Sequence, residues 1–106
     1  MKVKVPKHLS AESKKLWQRL LSEYEIVDEA GLLILQTSME AFDRMREAQA
    51  IIKEEGMQIQ DRFQQWKAHP LTVVERDSRA AMMAALKALN LDLEPLNDKP
   101  GRPGGR

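Results

Sequence analysis

No cysteine occurs among the 106 residues, which excludes a disulfide framework and any thiolate metal site. The two histidines, His8 and His69, lie far apart in sequence and lack ligand-type spacing. Glycine is scarce, and three of the five glycines are Gly101, Gly104 and Gly105, so no glycine-rich phosphate loop opens a helix. No apolar run is long enough to span a bilayer. The opening Met1-Lys2-Val3-Lys4-Val5-Pro6-Lys7 also lacks the apolar stretch of a secretory signal. The chain is therefore expected in the cytosol. Carboxylates such as Glu23, Glu25, Asp28, Glu29, Glu54 and Glu55 fall at helix ends and solvated faces, with no histidine close by in sequence. His69 has no candidate nucleophile beside it, and its place before Pro70 reads as a helix boundary. Catalysis, a metal and a cofactor are all expected to be absent.

What the chain does have is charge arranged in blocks. Residues 1–22 carry six Lys/Arg against one Glu, residues 23–61 carry three against ten acids, and residues 62–106 carry eight against five. Basic ends flank an acidic middle although the formal charge is only +1. Such asymmetry is compatible with a nucleic-acid contact at one end, although a pI near 8.0 is below the footprint of a dedicated binder.

Periodicity predicts an all-α fold: three main helices with a long central one, a short extended or hairpin junction, and a disordered C-terminal tail. Ser10 caps a first helix over roughly residues 11–25, whose stripe is Leu16, Trp17, Leu20, Leu21 and Tyr24. Asp28 starts the second, which runs to Gly56. Residues 57–68 hold Ile59, Phe63 and Trp66 among polar residues and read as an extended segment or irregular hairpin. Pro70 fits the first turn of a third helix, where its missing N–H costs nothing, and His69 has a ring able to hydrogen-bond the helix start. The third helix buries Leu71, Val74, Ser78, Ala81, Met82, Ala85, Leu86 and Leu89 and stops at Asn90. Residues 1–95 form one helical domain, with the first nine a basic flexible arm. Residues 96–106, rich in proline and glycine, hold too little apolar surface to order themselves.

Two surfaces are candidates for function. Lys2, Lys4, Lys7, Lys14, Lys15 and Arg19 form the strongest electrostatic feature, suited either to tracking phosphates by counterion release or to plain solvation. Along the second helix, Ile34, Ala41, Met45, Ala48 and Ile52, with Ser38, keep a heptad-like spacing. That seam suits packing within the chain or contact with neighbouring subunits. Trp17, Phe63 and Trp66 read as core or interface anchors.

Taken in order, several motifs resemble the phage terminase small subunit family. They are Pro6-Lys7-His8-Leu9-Ser10, Ser13-Lys14-Lys15-Leu16-Trp17, Asp28-Glu29-Ala30-Gly31-Leu32, Ala41-Phe42-Asp43-Arg44 and Glu54-Glu55-Gly56. Asp61-Arg62-Phe63, His69-Pro70, Glu75-Arg76-Asp77-Ser78-Arg79 and Leu86-Lys87-Ala88-Leu89-Asn90-Leu91-Asp92 complete the series. The resemblance spans roughly residues 6–95, and its specificity lies in order and spacing. Gln64 and Asn90 depart from it where glycine is usual, so a less sharply turned junction is expected at Gln64. The resemblance implies a non-enzymatic DNA-packaging factor in the host bacterial cytoplasm. Such a factor assembles into a homo-oligomeric ring, binds double-stranded viral DNA and delivers it to the terminase large subunit, which carries the ATPase and nuclease. The rival expectation is a helical protein-interaction adaptor without DNA affinity.

Overall fold

A computed structural model of the chain describes residues 3–89. Its order is α1 (Ala11–Tyr24), α2 (Glu29–Glu55), β1 (Gln58–Gln60), β2 (Trp66–Ala68) and α3 (Leu71–Ala88). The fold is all-α with one two-stranded antiparallel ribbon. The proposed stop at Asn90 and the tail over 96–106 lie outside the described residues.

Local chemistry sets each helix boundary. Ser10 Oγ accepts the Ser13 amide at 3.1 Å, and α1 ends at Glu25, whose left-handed backbone (φ 49°) breaks the helix. Asp28 accepts the Gly31 amide at 2.8 Å and so satisfies a donor that the start of α2 leaves unpaired. Gly31 is needed there, because a Cβ would sit 2.8 Å from Asp28 Oδ1 and 3.0 Å from Ile26 Cγ2. Gly56 (φ 94°) closes α2 and donates its N–H to the Ile52 carbonyl. The 27 residues of α2 make a rod about 40 Å long.

That rod buries two neighbouring stripes. On one, Leu35 and Met39 meet Leu9, Trp17 and Ile26, with Leu16, Leu20, Leu21 and Tyr24 closing over them. On the other, α3 lies antiparallel. His69 binds Glu55 at one end, Gln49 bonds Glu75 midway, and Leu89 reaches the Trp17 cluster at the other end. The expected α3 stripe needs one correction. Ser78 is buried and Leu71, Met82, Ala85, Leu86 and Leu89 are half-buried, but Val74 and Ala81 are exposed. Among the described elements, α3 packs chiefly against α2, so residues at the stripe's edge stay uncovered.

The N-terminal segment also differs from expectation. Residues 3–9 are laid on the core: Leu9 is buried and Val3 and Val5 pack against the Trp17 cluster. Alternation of valine with lysine explains this, since an extended segment sends successive side chains to opposite sides. His8 Nε2 lies 2.7 Å from Glu40 Oε2 and ties the segment to α2. The hydrogen bond from Gln36, and then that to His8, hold the Glu40 carboxyl below its ordinary range. A depressed carboxyl contributes stability above its ordinary range and loses it as pH falls through the folded value. Amide protection of residues 3–9 should therefore fall on acidification in hydrogen-exchange measurements. Glu40→Gln should remove the part of that loss due to Glu40.

The junction is a hairpin with Gln58, Ile59 and Gln60 opposite Ala68, Lys67 and Trp66. Asp61 builds its turn, one carboxylate oxygen accepting the amides of Phe63 at 2.8 Å and Gln65 at 3.0 Å. These contacts, the Gln65 amide foremost, keep the Asp61 carboxyl below its ordinary value. Gln64 adopts φ 63°, so the turn is as tight as glycine would make it, against the looser junction expected. A side chain in this region costs of order 1 kcal/mol. Gln64→Gly should raise stability by about 0.5 kcal/mol, net of glycine's larger chain entropy, in urea titration. Beyond the hairpin, His69 Nδ1 accepts the Leu71 amide at 3.0 Å while Nε2 meets Glu55 at 2.7 Å. The acceptor role of Nδ1 puts the proton on Nε2, so the ring caps α3 as its position before Pro70 suggested.

Candidate nucleic-acid interface

The cations singled out in sequence fall on two elements. Lys4 and Lys7 stand on the N-terminal segment on either side of Pro6, both exposed. Lys15 and Arg19, one helical turn apart, are exposed on α1, and Lys14 is half-buried at the edge of its core face. Lys2 lies outside the described residues. Among the described residues, none of these five cations forms an ion pair. Glu12, the acid in the first turn of α1, is held by Arg46 at 3.2 Å, whose guanidinium also stacks over Phe42. Lys15, Gln18, Arg19, Ser22 and Glu23 line a shallow open depression along the outer side of α1. Chemically, the arrangement offers separated point charges on an open surface. Such a set can neutralise a line of phosphates but has no geometry for bond chemistry.

The element that aims this surface was not visible in the sequence. Asp43, in the middle of α2, accepts the Ser10 amide at 2.9 Å, the Ser10 hydroxyl at 2.6 Å and the Ser13 hydroxyl at 3.1 Å. Its charge sits at the N-terminus of α1, where a helix favours an anion. Ser13 is fully buried. The only sequence signal was the pair of serines three apart beside a helix start, which explains a local cap but not a partner 30 residues away. Asp43→Ala should lower stability by about 1–3 kcal/mol, since it leaves Ser13's buried hydroxyl short of a charged acceptor. Thermal unfolding by circular dichroism checks this.

The heptad-like seam of α2, suited to packing within the chain or to contact with neighbouring subunits, does the first over its middle. Ala41, Met45 and Ala48 are buried within the chain on the side of α2 that α3 covers. Periodicity revealed the stripe, but the partner filling it is the chain's own α3. Ile34 and Ile52, half-buried near its two ends, are the seam positions still open to a neighbour. The aromatics divide between core and surface. Trp17 is a core anchor at 2 % exposure, whereas Phe63 and Trp66 stand out at 73 % and 64 %. Among the described residues no group of His, Asp and Glu is arranged to hold a metal ion, and no helix is long and apolar enough to cross a membrane.

A family model described as phage terminase, small subunit, matches residues 11–94. The match runs from the first residue of α1 past the end of α3, and so takes in the entire helical frame just described. The chain belongs to the phage terminase small-subunit family. No curated protein and no solved structure matches it. As a terminase small subunit it has a role in phage genome packaging. The family match includes Lys14, Lys15 and Arg19, together with Asp43, which holds the start of α1. Lys4 and Lys7 lie before it.

Proposed function

We propose that this terminase small subunit binds double-stranded viral DNA and recruits or modulates the large ATPase/nuclease subunit, working as a homo-oligomeric ring in the host bacterial cytoplasm. The family match over residues 11–94 carries the reading. In this account the protein has no reaction of its own. Lys4, Lys7, Lys14, Lys15 and Arg19, with Lys2, supply phosphate contacts, and the absence of the first five from every ion pair among the described residues supports that role. Released counterions drive such binding, so it weakens steeply with salt and is largely indifferent to base sequence.

One observation favours the alternative, an interaction adaptor without DNA affinity. Exposed aromatic side chains on a short hairpin suit a protein partner better than a phosphate backbone. Light scattering of the purified chain with and without duplex DNA separates the two. A large closed oligomer whose mass rises with duplex at moderate salt is the expected result. A monomer that ignores DNA overturns the proposal.

A further inference from the structure

The two ends of α2 carry unlike exposed surfaces. Beyond its C-terminal end, Met57 (70 %), Phe63 (73 %) and Trp66 (64 %) stand in solvent around the hairpin. Arg62 stacks on Phe63 at 5.6 Å and pairs with no carboxylate among the described residues. Lys67 is shared with Asp61 at 3.7 Å. The hairpin is braced for presentation: the Asp61 turn closes one end, and His69, bound to Glu55, fixes the other. At the N-terminal end of α2, Val27 (77 %) and Leu33 (66 %) are equally bare. Next to them in sequence, Glu25 and Glu29 are exposed and in no ion pair among the described residues, while Glu23 shares the α1 depression with Lys15 and Arg19. The helix between these surfaces is about 40 Å long, so they cannot meet within one chain.

We propose that the hairpin of one copy docks on the α1–α2 corner of the next, placing Phe63 and Trp66 against Val27 and Leu33 and Arg62 among the corner carboxylates. Apolar contact supplies the core of the interface and opposite charge its register. Such a contact is heterologous, joining different patches on the two partners. It therefore builds a ring where the rotation closes and a filament where it does not. The proposal rests on the homo-oligomer part of the proposed function and names its surfaces.

Two variants test it, Phe63→Ser/Trp66→Ser on the hairpin and Val27→Ser/Leu33→Ser at the corner, every altered position being exposed. In sedimentation velocity the wild type should assemble and each variant alone should run as a monomer with unchanged helical circular dichroism. An equimolar mixture should stop at a dimer, because only one intact hairpin and one intact corner remain to pair. The absence of native cysteine allows a second measurement. Mixed under air with a copper catalyst as oxidant, Phe63→Cys and Val27→Cys chains should form disulfide-linked heterodimers well above the homodimers each gives alone. Assembly of either double-serine variant at wild-type strength overturns this assignment and leaves the homo-oligomer reading standing. So does an assembled hairpin variant that has lost duplex binding, which would make the hairpin a DNA contact. A monomeric wild type overturns both readings.

Discussion

Replacing Lys4, Lys7, Lys14, Lys15 and Arg19 together with glutamine should lower affinity for duplex DNA by on the order of a hundredfold at moderate salt. Each phosphate contact releases roughly one counterion, so the slope of log K against log salt should flatten by about one for each cation that touches a phosphate. Lys14 is half-buried and should contribute least. The fold should survive, because the other four sites are exposed and unpaired among the described residues and surface changes of this kind alter stability little. A gel-shift titration at several salt concentrations reads both quantities. Unchanged affinity and unchanged slope would remove this surface from the DNA site.

Trp17→Ala should cost about 3–5 kcal/mol, the usual loss for an aromatic truncated in a core. Trp17 is 2 % exposed and meets Leu9, Ile26, Leu35 and Met39, so it holds α1, the N-terminal segment and the start of α2 in one cluster. Folded domains have only about 5–15 kcal/mol in hand. The variant should therefore show a sharply lowered urea midpoint. Because the same cluster seats Val3 and Val5, protection of the N-terminal segment should fall with it. A midpoint shift equivalent to less than about 1 kcal/mol would mean that α1 is held chiefly by the Asp43 clamp.

The helices were legible because their boundaries are written in short-range chemistry. Ser10, Asp28, Gly56 and Pro70 each act within a few residues, and each marks the boundary expected of it. His69 was legible for the same reason, since its ring reaches an amide two residues away. Long-range pairings were not. Asp43 reaches Ser10 and Ser13 across 30 or more residues, and His8 reaches Glu40 across 32. A single pattern of polar residues does not encode which of them will meet. The heptad seam of α2 shows the same limit, for periodicity identifies a buried stripe without naming what buries it. The N-terminal segment could have been read better: Val3 and Val5 alternate with lysines, a signal for an extended run with one apolar side. The charges of the candidate site were plain in the sequence, while the device that fixes the direction of α1 became visible only in the fold.

Hydrogen exchange followed by mass spectrometry, with and without duplex DNA at moderate salt, shows whether the N-terminal cations hold the DNA. DNA-dependent protection should concentrate in residues 4–22, across the N-terminal segment and the Lys15–Arg19 side of α1. Protection confined to the hairpin or to α3, with residues 4–22 exchanging as in the free protein, would contradict it.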